Sequence, residues 1–201
     1  MNQHHEQATR LLLLDRDGII NVDKGYVGRK ADFEVMPGII EVITEFANQG
    51  FLPVVVTNQS GIARGYYSEQ DFAELTRWMQ KLFSWHGLPH VPVYYCPHHP
   101  EKGQGEYRQQ CQCRKPEPGM LRRAAHDLQA DLSRSVMVGD SWRDMQAGAR
   151  AGVKVLCYVS SEAAPETDET RYCKVYQEAS VAQLLPLCQQ IIGRLKTGLG
   201  A

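Results

Sequence analysis

Four consecutive leucines at 11–14, running straight into Asp15-Arg16-Asp17-Gly18, constrain the fold more than any other stretch. A run with no polar face reads as a strand buried on both sides, the pattern of a central strand in a parallel sheet. Two carboxylates at the carboxyl end of such a strand are electrostatically expensive, and in open α/β sheets that edge is where ligands bind. Gly18 permits a sharp turn, so Asp15 and Asp17 can face one crevice. Like charges this close need a cation or a shared proton, and a hard divalent ion such as Mg2+ suits their oxygens. Taken alone, Asp-x-Asp-Gly is also an ordinary solvated turn, so the functional reading needs support from other strand ends.

The rest of the chain alternates strands with helices. Residues 15–36 read as a long loop, of the length that is usually functional or disordered. Pro37-Gly38 opens a helix with Ile39, Ile40, Val42, Ile43 and Phe46 on one face, stopped at Gly50. Residues 52–56 form a second buried strand ending at Thr57. The polar loop 57–65 follows. Ser68 and Asp71 mark the start of a helix to about His86, with Phe72, Leu75, Met79 and Leu82 as its stripe, extended by Trp78 and Trp85. Further strands are expected at 91–95, 135–138, 153–159 and near 174–176. Helices are expected at 120–128 and 142–151, with a last one that Ser180 caps and Pro186 breaks or restarts. The order implies an α/β fold: a single Rossmann-like domain with a mainly parallel sheet flanked by helices. Its expected bounds are 10–195, between a flexible segment 1–9 and a tail 196–201.

Composition narrows the class. The chain has 201 residues, 43% apolar and 22% charged, enough for one domain with a sizeable core. Its 22 basic and 23 acidic residues leave a net charge of −1, which gives no support to nucleic-acid binding. No run approaches the ~18 apolar residues of a membrane span, and the start lacks the basic-then-apolar pattern of a secretory signal. A cytoplasmic monomer without nucleic-acid or membrane partners is expected. Three of the six cysteines lie near histidines, which suggests a metal and a reducing compartment more than disulfides.

Asp15-Arg16-Asp17-Gly18, then Thr57, then Lys115 in a Pro-rich loop, then Gly139-Asp140 with Asp144 four residues on, resemble the four motifs of the haloacid dehalogenase-like phosphohydrolases. Any one is weak; four in order on an α/β pattern, over about residues 10–160, are strong. Ile19 stands where that superfamily usually has Thr or Val. The resemblance implies an aspartyl-phosphate mechanism without a large cap domain. Asp15 would be the nucleophile and Asp17 the general acid and base. Mg2+ would be held by Asp15, the main-chain carbonyl of Asp17 and Asp140. Asp144 would support the metal or orient Lys115. Thr57 and Lys115 would stabilise the charge on the phosphoryl oxygens.

A second constellation is Cys96-Pro-His98-His99 followed by Cys111-Gln-Cys113. Thiolates with an imidazole suit tetrahedral zinc, and four protein ligands make a closed, structural site. The expected set is Cys96, His98, Cys111 and Cys113, with His99 able to replace His98. The loop 96–113 would then position Arg114 and Lys115.

Within the superfamily this loop looks like that of the group holding heptose bisphosphate phosphatases and histidinol phosphatases. The loop 57–65, the stretch 21–26 and the length of the zinc loop favour the heptose side. The implied substrate is a small sugar bisphosphate, and the implied product a heptose 1-phosphate for nucleotide-activated heptose of envelope lipopolysaccharide. That resemblance implies substrate contacts from Asp23, Gly25, Tyr26, Asn58, Gln59, Ser60 and Arg114, with Arg64 a weaker candidate. Ser141 departs from relatives that carry a lysine after the metal aspartate. The alternatives are a histidinol-phosphate phosphatase and a non-catalytic zinc-stabilised binding module.

Overall fold

The computed structural model describes residues 8–165 and 168–196. Six strands form one fully parallel sheet: β1 (Arg10–Leu14), β2 (Phe51–Asn58), β3 (Val93–Cys96), β4 (Val136–Gly139), β5 (Val155–Val159) and β6 (Lys174–Glu178). Their order is β3-β2-β1-β4-β5-β6. The chain therefore winds outward from β1 in one direction, returns, and winds outward from β4 in the other. The β1/β4 seam is the switch point at which doubly wound sheets bind ligands.

All four leucines of β1 are fully buried, and they serve two different cores. Leu12 and Leu14 pack with α1 (Ile39–Asn48), α3 (Glu69–Trp85) and α6 (Leu185–Lys196). Leu11 and Leu13 pack with α4 (Gly119–Asp127) and α5 (Trp142–Ala151). Burial of a leucine contributes about 2 kcal/mol, so this strand anchors both layers. Ser68 and Asp71 form a reciprocal capping box at the start of α3, which satisfies two otherwise orphaned backbone donors.

Several boundaries differ from the sequence reading, each for a local reason. Phe83 rather than Leu82 completes the buried stripe of α3, and Trp85, expected to extend it, is 74% exposed. The loop after β1 is not structureless: it carries a 3-10 turn (Lys30–Asp32) and an Asn21–Val35 bridge. A four-residue helix, α2 (Ser60–Ala63), occupies the expected polar loop and is too short to show a period. Strands β3 and β5 each begin two residues later than expected. Ser180 makes no capping bond; a 3-10 turn (Val181–Leu184) precedes α6, in which Pro186 is the second residue. Most of the expected terminal segments lie outside the described residues, though Thr9 already bridges Ala130 and Lys196 ends α6.

Candidate active site

Asp15 leaves the carboxyl end of β1 with its N–H donating to Val138 O on β4 (3.0 Å). Asp140 follows β4 directly, so the seam brings together two carboxylates far apart in sequence. Asp144 enters from the first turn of α5, where it closes a capping box by accepting from Ser141 N (3.0 Å). Carboxylate oxygens of Asp15, Asp140 and Asp144 lie within 4.8 Å of one another. Gly18, in the left-handed region at φ +82°, makes room for this: a Cβ there would collide with Asp140 Oδ2.

Lys115 answers the cluster. Its fully buried ammonium spends its three protons on Asp144 Oδ1 (2.6 Å), Asp15 Oδ1 (3.0 Å) and Val56 O (2.8 Å). Burial alone would lower its pKa, but Asp144 and Asp15 together hold it above the ordinary value. Asp15 is pushed up to about 7 by burial, against the opposing pull of Lys115. Asp140 is likewise pushed up to about 7, by burial and then by Asp144. With all three carboxylates ionised, the one ammonium leaves two negative charges unanswered, which is the charge of one divalent cation. The all-oxygen donor set fits such an ion.

Asp17 is turned to a different set of partners. Its carboxylate accepts from Arg16 Nη2 (2.8 Å), Asn21 Nδ2 (3.0 Å) and Gln59 Nε2 (3.0 Å). Gln59 was expected to meet substrate; it is buried and lies behind the cleft wall. Tyr67 donates to Gln59 Oε1 (2.5 Å), which leaves Gln59 Nε2 to donate to Asp17 and to Thr57 Oγ1 (2.8 Å). With its oxygen already accepting, the buried Thr57 hydroxyl has its proton free for the cleft.

These groups floor a cleft of about 440 Å³. Asp23, Gly25, Tyr26, Asn58, Ser60 and Arg114 line it as well. Asn58 also clamps the Lys115 backbone, accepting from Lys115 N and donating to Lys115 O, both at 3.0 Å. Tyr26 meets Tyr66 edge to face at 4.7 Å, and the Arg64 guanidinium sits 5.3 Å over the Tyr26 ring. Tyr67, His99 and Arg143 join the lining without having been singled out as substrate contacts.

The cysteine loop forms its own centre. Ligand atoms of Cys96, His98, Cys111 and Cys113 lie within 4.8 Å of one another. The sulfur pairs are 2.9 to 3.4 Å apart, too far for disulfide bonds. Hydrogen bonding with Cys96 helps draw the Cys113 thiol down to about 5, into thiolate character. Three sulfurs and one imidazole nitrogen fit a tetrahedral metal. His99 lies outside this cluster, and its Nδ1 accepts from Glu101 N and Lys102 N. Arg114, directly after this centre, donates to His98 O (3.1 Å), which ties the loop to the cleft.

A family model for HAD-like hydrolases matches residues 112–185. The D-glycero-beta-D-manno-heptose-1,7-bisphosphate 7-phosphatase of Vibrio cholerae is 50% identical over 146 residues, 73% of this chain and 78% of that protein. The corresponding enzyme of Burkholderia mallei, named for the alpha anomer, is 50% identical over 144 residues, covering 72% and 76%. Among solved structures, the D,D-heptose 1,7-bisphosphate phosphatase of B. bronchiseptica, complexed with magnesium and phosphate, superposes with a TM-score of 0.73 at 29% identity, covering 90% of this chain and 99% of that one.

Proposed function

The chain belongs to the haloacid dehalogenase-like phosphohydrolases, and from that premise we propose that it removes the 7-phosphate of D-glycero-D-manno-heptose 1,7-bisphosphate, with Asp15 as nucleophile. The observation that carries this is the convergence of Asp15, Asp140 and Asp144, with Lys115 paired to Asp15 and Asp144, in a cleft also lined by Arg64, Arg114 and Arg143. Relatives named as heptose bisphosphate phosphatases carry the substrate, and they set aside the histidinol-phosphate alternative.

The Asp15 carboxylate attacks phosphorus as the bond to the C7 oxygen breaks, giving an aspartyl phosphate and an alcohol. Asp17 gives the departing oxygen its proton. A water then attacks the aspartyl phosphate, Asp17 takes the proton from it, and inorganic phosphate and free Asp15 result. Lys115 and the free proton of Thr57 stabilise the negative charge on the phosphoryl oxygens. Asp15, Asp140 and the Asp17 main-chain carbonyl would hold Mg2+, whose charge, when bound, lets an anionic nucleophile approach an anionic phosphate. Asp144 fixes Lys115. Asp23, Gly25, Tyr26, Asn58, Ser60 and Arg114 meet the sugar and its second phosphate. Zinc at Cys96, His98, Cys111 and Cys113 is structural, because four protein donors leave no open position.

The test is phosphate release from heptose 1,7-bisphosphate and from histidinol phosphate, with and without Mg2+, for wild type and Asp15→Asn. Mg2+-dependent preference for the bisphosphate, lost in the variant, supports the reading. Preference for histidinol phosphate overturns the substrate and keeps the chemistry.

A further inference from the structure

Three arginines line the cleft: Arg64, Arg114 and Arg143. Among the described residues, none of the three has a carboxylate within ion-pair distance. Asp23, the acidic residue of that wall, is turned to Gly25 N (2.8 Å). Like charges lining one cleft without a counter-ion repel one another, and an anion arriving between them offsets that cost.

Backbone connectivity gives two of these charges a fixed spacing from the reacting centre. Arg114 immediately precedes Lys115, and Arg143 immediately precedes Asp144; Lys115 and Asp144 are bonded to each other in the inner cluster. Arg143 Nε donates to Ser141 Oγ (3.3 Å) and Arg114 Nη1 to His98 O, so each guanidinium keeps further N–H groups for a ligand. Ser141, small and uncharged, supplies no cation of its own at this point of the wall.

Resting on the bisphosphate reading, we infer that Arg143 is a specificity-determining residue: with Arg114 it forms an anion subsite for the substrate's second phosphate. It thereby sets the preference for a bisphosphate over the corresponding 7-monophosphate. A forked guanidinium suits a phosphate better than an ammonium at the same place.

The experiment compares kcat/KM for heptose 1,7-bisphosphate with kcat/KM for heptose 7-phosphate in wild type, Arg143→Ala and Arg143→Lys. Arg143 is exposed, so folding is not at stake. The expected result is a fall of roughly tenfold in the bisphosphate-to-monophosphate ratio in Arg143→Ala, the scale of one solvent-facing charged contact. It is carried mainly by a higher KM for the bisphosphate and is partly restored by Arg143→Lys. A ratio unchanged in Arg143→Ala overturns the subsite. Wild type that hydrolyses p-nitrophenyl phosphate but neither heptose phosphate overturns the substrate reading, and with it the assignment of this subsite.

Discussion

Gln59 donates to the Thr57 hydroxyl at 2.8 Å, and this bond fixes where the threonine proton can go. The donor is itself fixed, because Tyr67 occupies Gln59 Oε1 and leaves only the amide nitrogen to face Thr57 and Asp17. Gln59 is not among the residues lining the cleft, and Gln59→Ala frees both groups. We expect kcat to fall roughly 10–100-fold, less than outright loss of an oxyanion donor. Tyr67→Phe should lose only severalfold, since the amide keeps its two acceptors. Steady-state kinetics on both variants check the order; an effect confined to KM would contradict it.

Lys115 and Asp15 should part company in a melting experiment. Lys115→Ala leaves Asp144 and Asp15 without their cation, and removing one partner of a buried ion pair costs about 3–5 kcal/mol. Asp15→Asn instead removes one charge from an overfull cluster. In metal-free protein its Tm should equal or exceed that of wild type, although turnover is abolished. Differential scanning calorimetry on the two variants separates these outcomes.

Gly18→Ala puts a methyl where Asp140 Oδ2 stands and forces a left-handed φ on alanine. Asp140 must move, so the Mg2+ concentration for half-maximal activity should rise at least tenfold. The backbone strain adds about 1–3 kcal/mol of destabilisation. Titration of activity against Mg2+, with a urea unfolding curve beside it, measures both.

Much of this arrangement is legible before folding, and the reasons differ by residue. β1 declares itself because four leucines can only be buried on both faces, and α3 because Ser68 and Asp71 cap it. The meeting of Asp15 with Asp140 follows from two apolar runs that each end in an aspartate. Gln59 does not reveal its duty, because nothing in Thr-Asn-Gln-Ser says that its amide turns inward to a tyrosine eight positions on. Trp85 misleads because helical spacing continues to the last residue of α3, beyond its last buried side chain, Phe83. Arg143 is invisible among ordinary surface arginines until α5 sets it over the cleft.

Stripping the cysteine centre should act at a distance. Cys113→Ser should remove zinc measured by elemental analysis, open the loop between β3 and α4 to limited proteolysis, and lower activity at least tenfold. The reason is that Lys115 lies two residues beyond the last ligand. Metal loss with full activity would show that Asn58 and the ion pairs hold Lys115 unaided.

Arg150 joins Glu169 (2.6 Å) to Glu117 (2.9 Å) and to Pro116 O (3.2 Å), bracing the far side of the Lys115 loop. The hydrogen bond from Arg150 holds Glu169 below its usual 4.5. A depressed carboxylate stabilises the fold above its unfolded value and loses that contribution as pH falls through the folded one. Both partners are about one third exposed, so the pair contributes under about 1 kcal/mol. The urea midpoint of Arg150→Ala should fall slightly below that of wild type at pH 7. The gap should narrow as pH drops below 4.5.

The sheet order has a consequence in time as well as in space. β1 can pair with β2 as soon as residue 58 exists, but its other edge waits for β4, which comes much later in the chain. Until then the leucine strand keeps one row of backbone donors and acceptors open, and Asp15 has neither Asp140 nor Asp144 beside it. A growing chain therefore carries an unfinished edge and no phosphatase through most of its synthesis. The strand that fills the second edge of β1 also brings Asp140 to Asp15, so activity reports that the central seam of the sheet has formed.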